Sequence, residues 1–379
     1  MGHVRVKRRL WWHAERGTCG PGDEWLNRGA ERISVGAREL CSRVGCHPQG
    51  FRPAAADLKH LAGLAVSPER LRRIVQSEGR RIAATQASGA LAAAWQGSEC
   101  RVTPQGPSRV YVGADGVMVP MVTTAEKARR RTGRMNRRVR AGRRHRRRLG
   151  RGYHERYKEF KLVVFYDQDK THRHAGATGA GPEAVGRWRR REGRRFGLDR
   201  AEEVLGRVAG APWIRNQLAR WGGGDHIGLD FYHFTEHVAA AAQGVFGEGT
   251  PEGATWRTRV LDLALQVDVY AVLDEIRQQR LQVRARGKCE ALRRLRNYVG
   301  ERVAMMDYAA CRAKGWDIGS GPTESLCKTM TARLKGAGML KGAGMGWDPQ
   351  NAEAMLALTA LHDSREWDAY WHQQGAQWN

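Results

Sequence analysis

The run Arg109-Val110-Tyr111-Val112-Gly113-Ala114-Asp115-Gly116 is the stretch that decides the fold. Its β-branched and aromatic residues predict a short strand, and the Asp-Gly pair predicts that the strand ends there. Further strands are predicted at 160–166, 174–178, 203–208 and 226–233, with helices at 182–196 and 213–221. The order three strands, helix, strand, helix, strand predicts an α/β fold with helices on both faces of one sheet.

The flanking sequence is helical in period. From 235 to 306 the apolar residues recur at helical spacing, and one stripe contains Leu292, Leu295 and Val299. We therefore expect the first part of an α/β core at 105–234, an all-helical insertion at 235–310 and the C-terminal part of the core at 311–379. Residues 1–100 are predicted to be mainly helical.

Residues 54–85 carry a helix-turn-helix pattern. A short helix and a glycine turn precede Ser67 and Pro68, which are typical of an N-cap and a first helical position. The second helix carries candidate DNA-contacting residues: Arg70, Arg72 and Arg73. An ordinary helical hairpin with a basic outer face fits the same spacing equally well, and the charge of the whole chain favours DNA.

The chain of 379 residues has a formal net charge of +26 and a pI near 10.6. A surplus of this size predicts a polyanionic partner, most simply double-stranded DNA. Between 127 and 151 there are fourteen Lys or Arg residues and no acid. Candidate phosphate contacts in this basic loop are Arg130, Arg137, Arg144 and Arg147. The alternative is a solvated, disordered loop, and disorder is compatible with binding DNA.

Cysteine usage and hydropathy predict where the protein works. The seven cysteines are scattered and form no CxxC pair, which predicts free thiols and no structural zinc. No apolar run is long enough for a membrane helix or a signal peptide. We expect a cytoplasmic, nucleoid-associated protein without a membrane partner.

The second informative stretch is Ile318-Gly319-Ser320-Gly321-Pro322-Thr323-Glu324-Ser325. Small polar residues followed by proline predict a helix start with Glu324 in the first turn. Basic residues follow at Lys328, Arg333 and Lys335, and we take them as candidate DNA contacts. A carboxylate beside such cations suits a metal ion held against a phosphate. The alternative is a capping glutamate that reaches back to a backbone N–H.

Together these blocks resemble the ISKra-type insertion-sequence transposases, which are distant relatives of the Mutator-like transposases. The resemblance covers roughly residue 50 to the C-terminus. The blocks that carry it are Val112-Gly113-Ala114-Asp115-Gly116, Glu159-Phe160-Lys161, Gly210-Ala211-Pro212-Trp213-Ile214, Leu229-Asp230-Phe231-Tyr232-His233 and 318–324. The resemblance implies a DDE transposase with a ribonuclease H-like core, which binds transposon ends and target DNA. It also implies a homo-oligomer and a two-metal Mg²⁺ site in which Mn²⁺ can substitute.

Three residues are expected to be catalytic and to bind metal. The resemblance implies that Asp115 is the first catalytic Asp and Glu324 the final Glu. The family has an Asp at the position of Ala209. Asp230 is the nearest remaining carboxylate, so it is our candidate second ligand, with a structural Asp-His pair as the alternative. The hypothesis that follows is a copy that binds DNA but is catalytically impaired.

Two other classes of function fit the same features. One is a non-enzymatic DNA-binding protein derived from a transposase, and the other is a ribonuclease H-like nuclease without strand transfer. A tandem six-residue copy at 334–345 is interpreted as a loop duplication, which fits decay of a mobile element but does not demand it.

Overall fold

A computed structural model describes residues 9–15, 17–20, 33–46, 50–122, 128, 132, 156–211, 213–214, 216–217, 225–339 and 347–376. Near the N-terminus, strands β1 (Trp11–His13) and β2 (Gly17–Cys19) pair as an antiparallel hairpin. This hairpin lies in the region predicted to be mainly helical. It was not predicted, because three-residue strands are too short to produce a periodic signal.

Three helices follow: α1 (Val35–Gly45), α2 (Phe51–Ala62) and α3 (Pro68–Ser88). Helix α2 ends at Gly63, whose φ of 63° is left-handed and favours glycine. Helix α3 begins after Ser67, whose hydroxyl accepts a hydrogen bond from the backbone N–H of Arg70 at 3.2 Å. The predicted pair of helices and the turn between them are therefore confirmed.

The central sheet has five strands: β3 (Arg109–Met121), β4 (Arg156–Asp167), β5 (Arg173–Thr178), β6 (Glu203–Val208) and β7 (His226–Leu229). Their order across the sheet is β5-β4-β3-β6-β7. The first three strands are antiparallel neighbours, whereas β6 runs parallel to β3 and β7 parallel to β6. Helix α4 (Pro182–Arg195) lies between β5 and β6, and residues 213, 214, 216 and 217 are helical between β6 and β7. The predicted α/β class and element order are confirmed.

Two strand boundaries differ from the prediction. Strand β3 does not end at Asp115 but continues to Met121, because β4 offers a pairing partner along its whole length and Asp115 lies opposite Leu162. Strand β7 ends at Leu229, four residues earlier than predicted. Asp230 starts a helix there by accepting a hydrogen bond from the backbone N–H of Tyr232.

The predicted helical insertion is helical throughout. It contains α5 (Phe231–Phe246), α6 (Pro251–Gln266), α7 (Val269–Leu281) and α8 (Arg286–Gly300), followed by the short helix α9 (Tyr308–Ala313). The apolar stripe Leu292, Leu295 and Val299 is buried, as its spacing predicted.

The C-terminal part consists of α10 (Gly321–Met339), α11 (Pro349–Asp363) and α12 (Trp367–Ala376). The first copy of the tandem repeat, 334–339, forms the last turns of α10, so its interpretation as a loop was wrong. Helix α10 continues through this segment despite its two glycines, and Leu334 at the start of the segment is buried in the core. The second copy, 340–345, lies outside the described residues.

The two faces of the sheet carry two hydrophobic cores. Tyr111, Val117 and Val119 face the first core, which contains residues of α1–α3 and α10–α12. Val112 and Ala114 face the second core, which contains the helical insertion. A methyl group added at Gly79 of α3 would collide with the backbone of Ala354 in α11, so these helices cross at close range. The N-terminal helices therefore pack on the sheet as part of its first core. Within the described part of the chain, no helix has the length and apolar character needed to cross a membrane.

Candidate active site

The start of α10 packs directly against strand β3. A side chain at Gly113 would collide with the hydroxyl of Thr323, which is buried in the first turn of α10. Asp115 lies two residues further along the same face of the strand. Its Oδ2 atom is 3.3 Å from the Sγ atom of Cys327, and its Oδ1 atom accepts a hydrogen bond from the N–H of Gly116. Asp115 therefore lies beside the second turn of α10.

Glu324 occupies the first turn of the same helix, as predicted. Its backbone N–H donates to the carbonyl of Ser320 at 3.0 Å, so the helix begins after Ser320. Its Oε1 atom is 2.7 Å from the Nζ atom of Lys328, and half of the Glu324 side chain is exposed. Interpretation as a capping glutamate was wrong, because the carboxylate contacts a side chain one turn later in the helix.

Asp230 holds the turn that precedes α10. It is buried, and its Oδ1 atom accepts from the backbone N–H of Tyr232 at 2.7 Å. Its Oδ2 atom accepts from both the backbone N–H and the hydroxyl of Ser320. In addition, the N–H of Phe231 donates to the carbonyl of Ile318 at 3.0 Å. Two segments far apart in the sequence are thus joined side by side.

These contacts assign Asp230 a structural part. Burial raises the pKa of its carboxyl, hydrogen bonds from Tyr232 and Ser320 oppose that rise, and the nearby charge of Glu324 adds to it. The charge of His233 also lowers the pKa of Asp230, while the hydrogen bonds of the carboxylate are to Ser320 and Tyr232. These hydrogen bonds use three of the roughly four lone-pair positions of the carboxylate, and the assignment of Asp230 as second metal ligand stays a prediction.

Position 209 follows the end of β6. Val208, the last residue of that strand, pairs with Ala114. Ala209 packs against the second core, whereas Asp115 lies on the face of β3 that packs on α10. The backbone N–H of Asp230 donates to the carbonyl of Val208 at 2.9 Å, which fixes this strand end. The Ala209 side chain is half-buried and offers no ligand atom.

Two other resemblance blocks meet elsewhere on the sheet. The indole N–H of Trp213 donates to the Oε1 atom of Glu159 at 3.2 Å. The Oε2 atom of Glu159 is 2.8 Å from the Nζ atom of Lys161, which lies over the Trp213 ring. Blocks that are about fifty residues apart in the chain are therefore in direct contact.

The three predicted ligands do not converge tightly. Among the described residues, two groups of at least three potential ligands have their ligand atoms within 4.8 Å of one another. They are Cys100 with Asp167 and His172, and His226 with Asp307 and Cys311. The set of Asp115, Asp230 and Glu324 does not meet this criterion.

The Cys100 group is explained by hydrogen bonds. Asp167 accepts from the Thr171 hydroxyl at 2.6 Å, and its Oδ2 atom is 2.8 Å from the Nδ1 atom of His172. These contacts hold the turn between β4 and β5. Burial raises the pKa of Cys100 to about 12, which favours a thiol over the thiolate that zinc binds.

The His226 group is also internally satisfied. The Nδ1 atom of His226 is 3.2 Å from a guanidinium nitrogen of the buried Arg207. A guanidinium can only donate, so Nδ1 accepts and the Nε2–H points to Asp307 at 2.9 Å. Neither ring nitrogen then has a lone pair to offer, and burial raises the pKa of Cys311 to about 11.

The predicted DNA contacts differ in exposure. Arg70 and Arg73 are exposed near the start of α3, and Arg72 is about one-third exposed. Arg72 and Arg73 both contact Glu69, at 2.6 and 3.0 Å. Lys328 is also exposed and contacts Glu324. All four residues remain candidates for contact with a polyanion.

Arg333 is buried in the core, contrary to expectation. Its Nε–H donates to the carbonyl of Gly45 at 3.2 Å, and its guanidinium lies 4.6 Å from the centre of the Phe51 ring. Burial lowers its pKa. The prediction that Arg333 contacts DNA is therefore wrong for this folded state. The remaining candidates lie outside the described residues or side chains: Arg130, Arg137, Arg144, Arg147 and Lys335.

Sequence reasoning missed two residues of this region. Ser320 was treated as part of a turn, although its hydroxyl is the partner of Asp230. The contact of Cys327 with Asp115 was likewise not predicted. Helical spacing from Glu324 to Cys327 was the available signal, since residues three apart lie on one face of a helix.

Comparison with known proteins adds no relative. A scan of the sequence against protein-family models gave no match, and a search of curated proteins also gave none. The proposal below therefore rests on the residues and contacts of the chain itself.

Proposed function

We propose that this protein is a DNA-binding protein with the ribonuclease H-like core of a DDE transposase, and that its cleavage centre lacks one carboxylate. The observation that carries the proposal is the packing of the start of α10 on β3. This packing brings Asp115 into contact with Cys327, which lies one helical turn after Glu324 in α10, and β6 pairs with β3 up to the residue before position 209.

The strand arrangement supports the same proposal. Three antiparallel strands are followed by two strands added in parallel on the other side of β3, with helices on both faces. Acidic residues at the centre of such a sheet and on a later helix suit phosphodiester chemistry. The contact between Glu159 and Trp213 supports the resemblance, because it joins two of its blocks.

The residues present do not fit a complete two-metal site. Such a site holds two Mg²⁺ or Mn²⁺ ions about 4 Å apart, and several carboxylates must bridge them. Asp115 and Glu324 can contribute oxygen ligands, and Asp230 can contribute the lone pair that Ser320 and Tyr232 leave unused, but the ligand atoms of the three residues do not lie within 4.8 Å of one another. Ala209 contributes none. We therefore derive no cleavage step for this chain.

DNA binding does not depend on that centre. The net charge of +26 favours a polyanion whatever the state of the carboxylates. The exposed guanidinium groups of Arg70 and Arg73 are available at the start of α3. The protein is thus expected to retain affinity for DNA while its strand-cleaving activity is weak or absent.

The test is the nicking of supercoiled plasmid DNA in the presence of Mn²⁺, which needs no knowledge of the transposon ends. We expect Ala209→Asp to nick at least tenfold faster than the unaltered chain. The matched control is Ala209→Asn, which has nearly the same shape without the charge. Adding Glu324→Gln to Ala209→Asp is expected to return the rate to background. Equal rates for the Asp and Asn variants would refute the proposal.

A second assay separates transposase from nuclease. Ala209→Asp is incubated with a labelled donor duplex carrying the repeats that flank its coding region and with an unlabelled target plasmid. Label joined to the plasmid indicates strand transfer, and cut ends without joined label indicate a nuclease.

A further inference from the structure

A large cleft lies between helices α7 and α8 of the insertion. Its volume is about 1220 Å³, and its floor includes the buried side chains of Ile276 and Leu292. Arginines make up much of its lining: Arg277, Arg280, Arg286, Arg293, Arg294 and Arg296. The cleft is well separated along the chain from the residues of the candidate active site.

The cleft belongs to a strongly basic segment. Between positions 277 and 296 there are eight Lys or Arg residues and a single acid, Glu290. This is a second dense run of positive charge, distinct from 127–151. Because it is helical and its side chains are described, its geometry can be compared with that of a polyanion.

Part of the lining forms a row along one helix. Arg286, Arg293 and Arg296 are at positions i, i+7 and i+10 of α8, and all three line the cleft. At a rise of 1.5 Å per residue the row extends over about 15 Å. One strand of duplex DNA carries a phosphate for roughly every 3.4 Å of axis, so the row matches a short run of phosphates.

Three of the six arginines in the lining are paired with carboxylates, since Arg277 contacts Asp274 and the other two contact Glu290, and Glu301 also lines the cleft. Glu290 contacts both Arg293 and Arg294, which are 60% and 77% exposed. Such solvent-exposed ion pairs contribute little to stability, so phosphates can replace the carboxylate. Neither Arg286 nor Arg296 is paired with a carboxylate among the described residues. Arginine also presents a planar fork of donors that matches phosphate geometry.

We propose that the cleft between α7 and α8 is a docking surface for the phosphate backbone of duplex DNA, contacted by Arg280, Arg286 and Arg296. The proposal rests on the function proposed above and adds to it a DNA-contacting surface within the helical insertion. Arg280, Arg286 and Arg296 are exposed and have no carboxylate partner among the described residues, and their spread along the cleft favours a continuous polyanion over an acidic protein segment.

The test measures the salt dependence of binding to a fluorescent duplex of arbitrary sequence. The variant Arg280→Gln/Arg286→Gln/Arg296→Gln is compared with Arg200→Gln/Arg257→Gln/Arg312→Gln, which removes the same charge from exposed sites outside the cleft. Each lost phosphate contact lowers the slope of log affinity against log salt by about 0.9. We expect the cleft variant to lose about 2.7 from the slope and the control less than 1.

One substitution is expected to raise the DNA affinity instead of lowering it. Glu290→Gln removes the only acid of the 277–296 segment, so DNA affinity at low salt is expected to rise about twofold or more. A purely structural part for Glu290 would leave affinity unchanged or lower it.

The outcomes separate the two proposals. Failure of the unaltered chain to bind the duplex at any salt concentration would refute the proposed function. Strong binding with the same slope in the cleft and control variants would refute only the docking surface, and an acidic protein occupant predicts that result.

Discussion

Asp230, at the end of strand β7, accepts hydrogen bonds from the backbone N–H and the hydroxyl of Ser320, which is ninety residues further along the chain. The entire helical insertion lies between these two residues. The contact therefore closes the insertion at its base and fixes where α10 begins. Because α10 carries Glu324 and packs on the strand of Asp115, this contact of Asp230 also positions the candidate site.

The first prediction concerns this contact. Asp230→Ala removes the acceptor for three hydrogen bonds in a buried site, so we expect a loss of about 2–4 kcal/mol in the free energy of unfolding. Urea denaturation measures it. The control Asp262→Ala removes an exposed carboxylate from α6 and is expected to cost less than about 0.5 kcal/mol. Similar losses in the two variants would contradict the structural part of Asp230.

The second prediction concerns the close approach of α10 to β3. Gly113→Ala is expected to destabilise the protein by about 1–3 kcal/mol, because the added methyl collides with the Thr323 hydroxyl. Thr323→Ala is expected to change stability by less than about 1 kcal/mol, since that hydroxyl is buried without a hydrogen-bond partner among the described atoms.

A double variant tests whether the residues at positions 113 and 323 are in contact. In thermal denaturation, Gly113→Ala with Thr323→Ala should lose less stability than the sum of the single losses. Strict additivity would show that the two positions do not touch.

The third prediction concerns pH. Glu192 is buried, which opposes its ionisation, but contacts with His174, Arg195 and Arg191 outweigh burial and lower its pKa from 4.5 to about 2. A lowered pKa stabilises the fold above the unfolded value of about 4.5, and the stabilisation is lost as pH falls towards 2. The stability difference between the unaltered chain and Glu192→Gln should therefore be largest near pH 6.

The size of that difference follows from linkage. A shift of this extent corresponds to at most about 3 kcal/mol, and the difference should shrink steadily below pH 4.5. Urea denaturation at a series of pH values measures it. A difference that stays constant between pH 6 and pH 3 would contradict an ionised Glu192 in the folded protein.

The fourth prediction separates a structural arginine from a DNA-contacting one. Arg333→Ala is expected to lower the free energy of unfolding by about 2–4 kcal/mol, because Arg333 fills the space between Gly45 and Phe51. The salt slope of DNA binding, measured well below the unfolding transition, should not change. Arg70→Ala should show the reverse pattern, with a shallower salt slope and little change in stability.

Local features of the fold could be predicted from the sequence, and long-range ones could not. The boundary between α2 and α3 was predictable because Gly63 ends one helix, and Ser67 and Pro68 start the next, through interactions with residues only a few positions away. The Asp-Gly turn signal at Asp115 failed because pairing with β4, which follows the basic loop, outweighs a local preference. The first copy of the repeat, at 334–339, was predicted as a loop, whereas its first residue, Leu334, is buried in the core and the segment belongs to α10.

The candidate site was predicted in part for the same reason. Glu324 could be assigned to a helix start from its neighbours alone. The engagement of Asp230 by Ser320 could not, because it depends on closure of a loop of ninety residues. The burial of Arg333 was missed because arginine is usually exposed, and only the packed structure reveals the aromatic and carbonyl groups around it.

The most direct test of the central claim is calorimetric titration of Mn²⁺ into the unaltered chain, Ala209→Asp and Ala209→Asn, without DNA or substrate. If position 209 is the missing third ligand position of a metal site that also contains Asp115 and Glu324, Ala209→Asp binds Mn²⁺ at least tenfold more tightly than the unaltered chain and Ala209→Asn do. Adding Asp115→Asn to that variant abolishes the gain. Equal Mn²⁺ affinity for all three proteins would contradict the account.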